Sequence, residues 1–281
     1  MEKQLSNKVI LMTGATSGLG KAAALELLEN DATLIVLYRN KDKFLQLEKE
    51  NGSIGEIVGL HCDLSSFSSL KMALDEVRKS YDQLDIIINN AGVWSFDFSE
   101  TADGIEKTFQ VNVLAPYIIM QYLKDLLFKD KDASKVITTA SGLHQGTIQF
   151  DDIEYRNKYS GYKAYRQSKL GVILLTRLLG EREDDIVYVT QHPGLVSTGL
   201  ARGGNWFARL FFKLFGKSLE KGAETLVYLV KTPADKLKSG EYYADKKVKK
   251  TDTSVSRNID VARKLESEIK EMIRENSSFD L

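Results

Sequence analysis

Tyr165 and Lys169 stand four residues apart in Tyr165-Arg166-Gln167-Ser168-Lys169, inside a stretch whose pattern predicts a helix over 160–182. Residues four apart share a helix face, so a phenol and an ammonium project together. A phenol titrates near about 10 and is a poor base at neutral pH. An adjacent positive charge favours the phenolate and lets the pair move a proton. A bare YxxxK recurs by chance and carries little alone. Here it follows a strand that ends Thr139-Ala140-Ser141. The Ser141 hydroxyl can hold a substrate oxygen beside the tyrosine, and Thr139 is the other hydroxyl on offer.

A second cluster follows the first strand, in Thr13-Gly14-Ala15-Thr16-Ser17-Gly18-Leu19-Gly20. A strand-to-helix turn without Cβ atoms lets backbone N–H groups approach a pyrophosphate, and the helix dipole adds to the attraction. Such a turn can also be a plain tight turn. Its place after a buried first strand points to a nucleotide. The second strand ends Leu37-Tyr38-Arg39-Asn40. Folds that prefer NAD place an acid there, about 20 residues after the glycines. A carboxylate repels a 2′-phosphate, whereas a guanidinium attracts one and can bond it twice. NADP(H), preferred over NAD(H), is the expected cofactor. The plainer reading is a surface arginine at a strand end.

These groups need a scaffold that brings strand ends together. Apolar runs at 8–13, 32–38, 56–62, 85–89, 135–139 and 186–191 read as buried strands. Helical patterns at 19–30, 41–50, 66–81, 103–128 and 160–182 separate them. Further helices are expected at 219–230 and 261–274, and a last strand at 241–244. The alternation specifies an α/β, doubly wound parallel sheet of about seven strands with helices on both faces. With no composition break or internal repeat, one domain over 1–281 is expected.

Composition excludes several classes. Lysine plus arginine and aspartate plus glutamate each number 39, so no global charge draws the chain to nucleic acid. Cys62 is the only cysteine, which excludes an internal disulfide and a CxxC metal site. No metal is expected. No stretch approaches the ~20 apolar residues of a membrane span. The opening residues lack the apolar core of a signal peptide. A cytoplasmic location is the expectation.

The motifs together resemble the compact form of the short-chain dehydrogenase/reductase family. The matching elements are TGATSGLG at 13–20, Cys62-Asp63-Leu64, Asn89-Asn90-Ala91-Gly92, Asn112 within FQVNVLAP, Ser141, the Tyr165/Lys169 pair and His192-Pro193-Gly194, in the family's order. The stretches AYRQSKLGVILLTRLL, HPGLVST, EKGAETLVYL and SGEYYADKK are similar to its retinol-dehydrogenase-like group, as is the 24-residue separation of Ser141 from Tyr165. One departure is Thr138-Thr139-Ala140-Ser141, where the family commonly has two adjacent serines.

The resemblance implies a Rossmann-type fold, carbonyl/alcohol chemistry and a set of roles. Gly14, Ser17, Gly18, Leu19 and Gly20 would surround the pyrophosphate and adjoining ribose. Arg39 and Asn40 would face the 2′-phosphate, and Asp63 and Leu64 the adenine. Asn90, Ala91 and Gly92 would line the cofactor ribose, and Pro193, Gly194, Val196 and Thr198 the nicotinamide end. Ser141 and Tyr165 would bond the substrate oxygen, Tyr165 as acid/base. Lys169 would hold the nicotinamide ribose and lower the tyrosine pKa. Asn112 would anchor a water behind the lysine, or simply bond backbone within its helix. A non-catalytic NADP(H)-binding sensor on the same fold is the alternative, and such relatives tend to lose the tyrosine or the lysine.

Substrate recognition is expected from Leu143, His144, Trp94, Phe96 and Leu195, near strand C-terminal ends. Phe207, Leu210, Phe211 and Leu214 share a helical face within a segment read as a substrate lid at 199–218. An apolar lid implies a lipophilic carbonyl or alcohol. The segment could also touch a membrane peripherally, and assembly into a homo-oligomer is left open.

Overall fold

The computed structural model describes residues 5–52, 55–127, 134–194, 218–251 and 253–281. Six apolar runs pair in parallel: β1 (Val9–Thr13), β2 (Thr33–Tyr38), β3 (Glu56–His61), β4 (Ile86–Asn89), β5 (Lys135–Thr139) and β6 (Val187–His192). β7 (Tyr242–Ala244) joins β6 in parallel, and β8 (Lys247–Val248) joins β7 antiparallel. The order is β3-β2-β1-β4-β5-β6-β7-β8. Chain order reverses between β1 and β4, which opens a crevice at their C-terminal ends.

The sheet therefore has eight strands where the sequence led us to expect about seven. The extra one is a short hairpin arm. Its turn places Asp245 and Lys246 at φ 50° and 61°. Asp245 suits such a turn, but Lys246 stands where glycine usually completes it, so the pattern carries only half a hairpin signal.

Alternating side chains feed two cores. Ile10, Met12, Ile88 and Val189 pack beneath α1 (Gly18–Glu29) and α7 (Leu219–Lys231), with Leu27, Leu28 and Leu226 fully buried. α2 (Lys41–Glu50) adds Phe44 and Leu47 to the same core. Leu11, Ile87, Val136 and Tyr188 face α3 (Phe67–Ser80), α5 (Ala115–Tyr122), α6 (Gly161–Arg182) and α8 (Ile259–Asn276). α6 is buried on nearly every side, because the sheet lies under it and α8 crosses over it. Gly171 makes that packing close: a Cβ there would stand 3.5 Å from Leu265 and 3.7 Å from Val113. The Tyr117 hydroxyl and the Arg182 guanidinium both donate to Glu266, at 2.8 and 2.9 Å.

The expected long helix over 103–128 is broken. α4 (Lys107–Phe109) runs into a π-helical turn, Gln110–Leu114, then into α5, and a 3₁₀ turn follows at Lys124–Leu127. The Ala115 N–H reaches back five residues to Gln110 O. Pro116 supplies the reason: it has no N–H for the Asn112 carbonyl four residues before it. The apolar periodicity survives one wide turn, so the break is silent in the pattern. Among the described residues no helix is long and apolar enough to cross a membrane.

Leu265 on α8 is fully buried against α6. Leu265→Ala should cost about 2–5 kcal/mol in urea unfolding by leaving a cavity. An unchanged midpoint would show that α8 does not belong to the cooperative core.

Candidate active site

The crevice is built first from what is missing. Gly14 has φ +70°, and a Cβ on it would lie 2.8 Å from Ala91 Cα and N. A Cβ on Gly20 would lie 2.0 Å from Gly14 O. The two glycines thus let the β1 turn sit directly on the β4 turn. Gly18, at φ +56°, faces open space. Ser17 stands at the α1 N-terminus in extended conformation and makes no capping bond, and no acid lies in the first turn. The first-turn N–H groups of α1 therefore have neither a side-chain acceptor nor a carboxylate beside them, which fits a phosphate group. Leu19 is buried behind them.

Hydrogen bonds lock the strand ends. The Thr13 hydroxyl accepts from Asn90 N at 3.1 Å and Ala91 N at 3.0 Å. Asn90 Nδ2 donates to Gly14 O at 3.2 Å, and its Oδ1 accepts from the Thr139 hydroxyl at 3.1 Å. Gln191 Nε2 donates to that hydroxyl at 2.9 Å. One chain of bonds therefore crosses β1, β4, β5 and β6. The sequence reading did not foresee Thr13 or Gln191 in it. The available signal was polar residues at the ends of otherwise apolar strands.

At the far side, Arg39 is exposed at the end of β2. Asn40 lies beside it, with its Oδ1 committed to capping α2 through Lys43 N at 2.9 Å. Asp63 Oδ1 accepts from Ser65 N at 2.9 Å and Ser65 Oγ at 2.6 Å. Burial pushes this carboxyl up, but the Ser65 bonds and the charges of Arg39 and Lys107 outweigh it and hold it below the ordinary range. Leu64 is buried next to it.

Tyr165 and Lys169 project from α6 towards the end of β5. Lys169 Nζ donates to Thr139 O at 2.9 Å and lies 5.7 Å from the Tyr165 ring centroid. The lysine is buried, and desolvation pulls its pKa down to about 8. Burial also pushes the Tyr165 phenol up, while a hydrogen bond with the Ser141 side chain draws it part-way back. Ser141 is fixed in its turn: its Oγ accepts from Leu143 N at 3.1 Å, and its carbonyl lies 2.7 Å from His144 Nδ1. His144 is buried and serves that local bond. The neighbouring Gly142 N donates to His192 Nδ1 at 3.1 Å.

Asn112 stands in the π-helical turn. Its Oδ1 accepts from Val93 N at 2.8 Å, and its Nδ2 donates to Val93 O at 2.9 Å and to Ser168 Oγ at 3.0 Å. It ties the loop after β4 to α6. A Cβ on Gly92 would stand 3.4 Å from both Asn112 Oδ1 and Lys169 Nζ, so Gly92 keeps that approach open. Pro193 and Gly194 end β6, with Gly194 at φ +83°. Leu195, Val196, Thr198 and the lid expected at 199–218 lie outside the described residues up to 217.

The stretch between Ser141 and Tyr165 is latched to the loop after β4. The Tyr159 hydroxyl lies 2.9 Å from Glu106 Oε1 and 3.0 Å from Ser95 O. Glu154 accepts from Glu106 N at 2.6 Å, and Arg156 binds both Glu154 and Glu100. These residues carry no motif, and the sequence reading passed over them.

Residues 8–205 match the family model described as short chain dehydrogenase. The chain belongs to that family. Short-chain dehydrogenases are oxidoreductases that use nicotinamide cofactors, and this one falls in the retinol-dehydrogenase-like group. Retinol dehydrogenase 14 of Mus musculus is 34% identical over 282 residues, covering 91% of this chain and 84% of the relative. Polyprenol dehydrogenase of Homo sapiens is 30% identical, covering 86% and 78%. A crystal structure of an uncharacterised protein from Mycobacterium paratuberculosis superposes with a TM-score of 0.77 at 24% identity, covering 98% and 96%.

Burying Lys169 has a cost in this short-chain dehydrogenase. An unfolded lysine titrates near about 10.4, whereas the folded one does so near about 8. Below pH 8 both states are protonated and the folded state carries the whole penalty. Between the two values the folded state releases its proton first, so stability rises with pH. Lys169→Met should therefore stabilise the cofactor-free protein by about 1–3 kcal/mol at pH 7. The gain should shrink as pH climbs through that window, read by urea unfolding at each pH. A gain independent of pH would refute the desolvated ammonium.

Proposed function

We propose that this protein is an NADP(H)-dependent oxidoreductase that interconverts an alcohol and a carbonyl on a lipophilic small molecule, with Tyr165 as the acid/base. The observation that carries this reading is the Tyr165 phenol bonded to Ser141 and flanked by the buried Lys169, at the C-terminal edge of the sheet. The nicotinamide cofactor, when bound, supplies or takes up the hydride.

The chain's own groups do the rest. Ser141 donates to the substrate oxygen and holds it beside the phenol. In reduction Tyr165 gives its proton to that oxygen; in oxidation the phenolate removes it. Lys169 keeps positive charge against the ring and favours the phenolate. Asn112 has committed its whole side-chain amide to Val93 and Ser168. What it can offer a water is its main-chain carbonyl, which Pro116 leaves without an α-helical partner. Gly14, Ser17, Gly18, Leu19 and Gly20 would hold the pyrophosphate, and Asn90, Ala91 and Gly92 the ribose. Asp63 and Leu64 would hold the adenine, and Arg39 with Asn40 a 2′-phosphate. Pro193, Gly194, Val196 and Thr198 would meet the nicotinamide.

Lipophilicity is supported by the exposed rings of Phe96 and Tyr162, both against the Trp94 indole that stacks on Tyr165. It is also supported by relatives named for retinol and polyprenol, both long apolar alcohols. A sensor without turnover is the weaker reading, since Tyr165 and Lys169 are both present and in contact distance.

Two measurements test the assignment. Tyr165→Phe should lower turnover by roughly a hundred- to ten-thousandfold, the range of a lost general acid. NADPH affinity, read by fluorescence titration, should stay nearly intact; near-normal turnover would remove Tyr165 from the chemistry. Arg39→Ala should erase a preference for NADPH over NADH of roughly ten- to a hundredfold, one charge-assisted contact. Equal efficiency with both cofactors in the unmodified protein would overturn the NADP(H) reading.

A further inference from the structure

Trp94 is two residues past the Asn-Asn-Ala-Gly turn, on the loop after β4. Its indole stacks on the Tyr165 ring with centroids 4.6 Å apart and planes 11° apart. Phe96 stacks on the indole as well, at 5.3 Å and 15°. Tyr162, one turn before Tyr165 on α6, leans on the indole at 6.2 Å and 38°. Three rings thus meet the indole, the phenol among them, while the Lys169 ammonium stands 5.7 Å from the phenol centroid. The indole Nε1 is buried and finds no hydrogen-bond partner among the described residues. Ring stacking, and no polar contact, therefore holds the indole.

We propose that Trp94 is a positioning residue for the reaction: its plane fixes the plane of the Tyr165 ring, and so the direction in which the phenol oxygen meets Ser141 and the substrate. The proposal rests on Tyr165 being the acid/base. A phenol has two soft torsions, and the terminal one is broad. Ser141 restrains the oxygen at one end, but a single hydrogen bond does not fix the ring plane. The stacked indole does, because offset stacking is attractive and the Phe96 and Tyr162 rings hold the indole in turn. The loop that carries Trp94 is itself anchored through Val93 to Asn112 at both its N–H and its carbonyl. A small error in such geometry is expensive in rate.

Kinetics separate this from plain space filling. Trp94→Leu and Trp94→Phe both fill the gap with apolar atoms, but only phenylalanine offers a plane. Trp94→Leu should lower kcat about tenfold with the cofactor KM little changed, and Trp94→Phe should keep kcat within about threefold. Leucine performing as well as phenylalanine, or neither lowering kcat, would overturn the proposal.

A spectroscopic arm reads the stack without turnover. The chain has two tryptophans, Trp94 and Trp206. In a Trp206→Phe, Tyr162→Phe background, saturated with oxidised cofactor and excited where tyrosine does not absorb, the emission comes from Trp94 alone, and Tyr165 is the one phenol left against the indole among the described residues. A phenolate absorbs at longer wavelength than a phenol and quenches a stacked indole. Lys169 and Ser141 are the groups that face the phenol, and both are kept. Emission should therefore fall along a titration curve that Tyr165→Phe abolishes. Identical curves with and without the Tyr165 hydroxyl would overturn the stack. Failure of the acid/base reading shows separately, as Tyr165→Phe that retains turnover.

Discussion

Gly14 and Ala91 approach so closely that a single methyl group could not stand between them. Everything else at the site depends on that approach. It brings the turn after β1 onto the turn after β4, where the strand order reverses and the sheet opens a crevice. It allows one hydroxyl, that of Thr13, to accept from two main-chain N–H groups of the facing turn. Asn90 can then reach back to Gly14 and forward to Thr139. Lys169 takes the carbonyl of that same Thr139. Hence the glycine turn and the proposed acid/base pair are held by one continuous set of bonds. A shift of β1 against β4 would move Lys169 as well as the glycine turn.

Much of this was legible. Six parallel strands, and the helix carrying Tyr165 and Lys169, follow from apolar runs and four-residue spacing. Both belong to local sequence, and the structure keeps them within a residue or two. The π-helical turn around Asn112 was not legible, because one extra residue in a turn leaves an apolar face continuous. Only Pro116 hints at it. The hairpin at Asp245 and Lys246 was half hidden because lysine, not glycine, occupies the second positive φ. The bonds of Thr13, Asn90, Thr139 and Gln191 join positions up to 78 residues apart for a single contact. No local pattern encodes such pairings; they appear only once the register of four strands is known. Trp94 was named for substrate contact from its place near a strand end, but its stacking on Tyr165 is a tertiary fact.

The two halves of the site are made of different material, and this bears on how specificity can vary. The cofactor half consists of glycines, main-chain N–H groups and short polar side chains locked by strand register. Changing Gly14, Gly20, Thr13 or Asn90 disturbs the contact between the turns after β1 and β4. The substrate half consists of the loop after β4 and the stretch between Ser141 and Tyr165. A side chain takes part in each bond that joins them: Tyr159 on Glu106 and the Ser95 carbonyl, Glu154 on the Glu106 N–H, and Arg156 on Glu100. Side-chain latches can be replaced without altering strand register. The relatives named for retinol and polyprenol share the family but differ in the alcohol they are named for. Variation confined to latched loops is a physical route to such differences.

Trp94 sits where the two halves meet. Its loop begins at the cofactor turn and ends among the aromatic rings of the substrate side. Val93 is held at both main-chain groups by Asn112, so the loop leaves the turn in a set direction. Tyr159 then takes the Ser95 carbonyl just beyond the indole. Trp94 is therefore held from both sides, by the chemistry's scaffold and by the specificity loops. On the proposed function, the ring plane that limits the phenol is also part of the wall offered to a substrate. A change of substrate that moved these loops would reach Tyr165 through this one side chain. On the proposed roles of Tyr165 and Trp94, reactivity and selectivity are coupled at this one side chain.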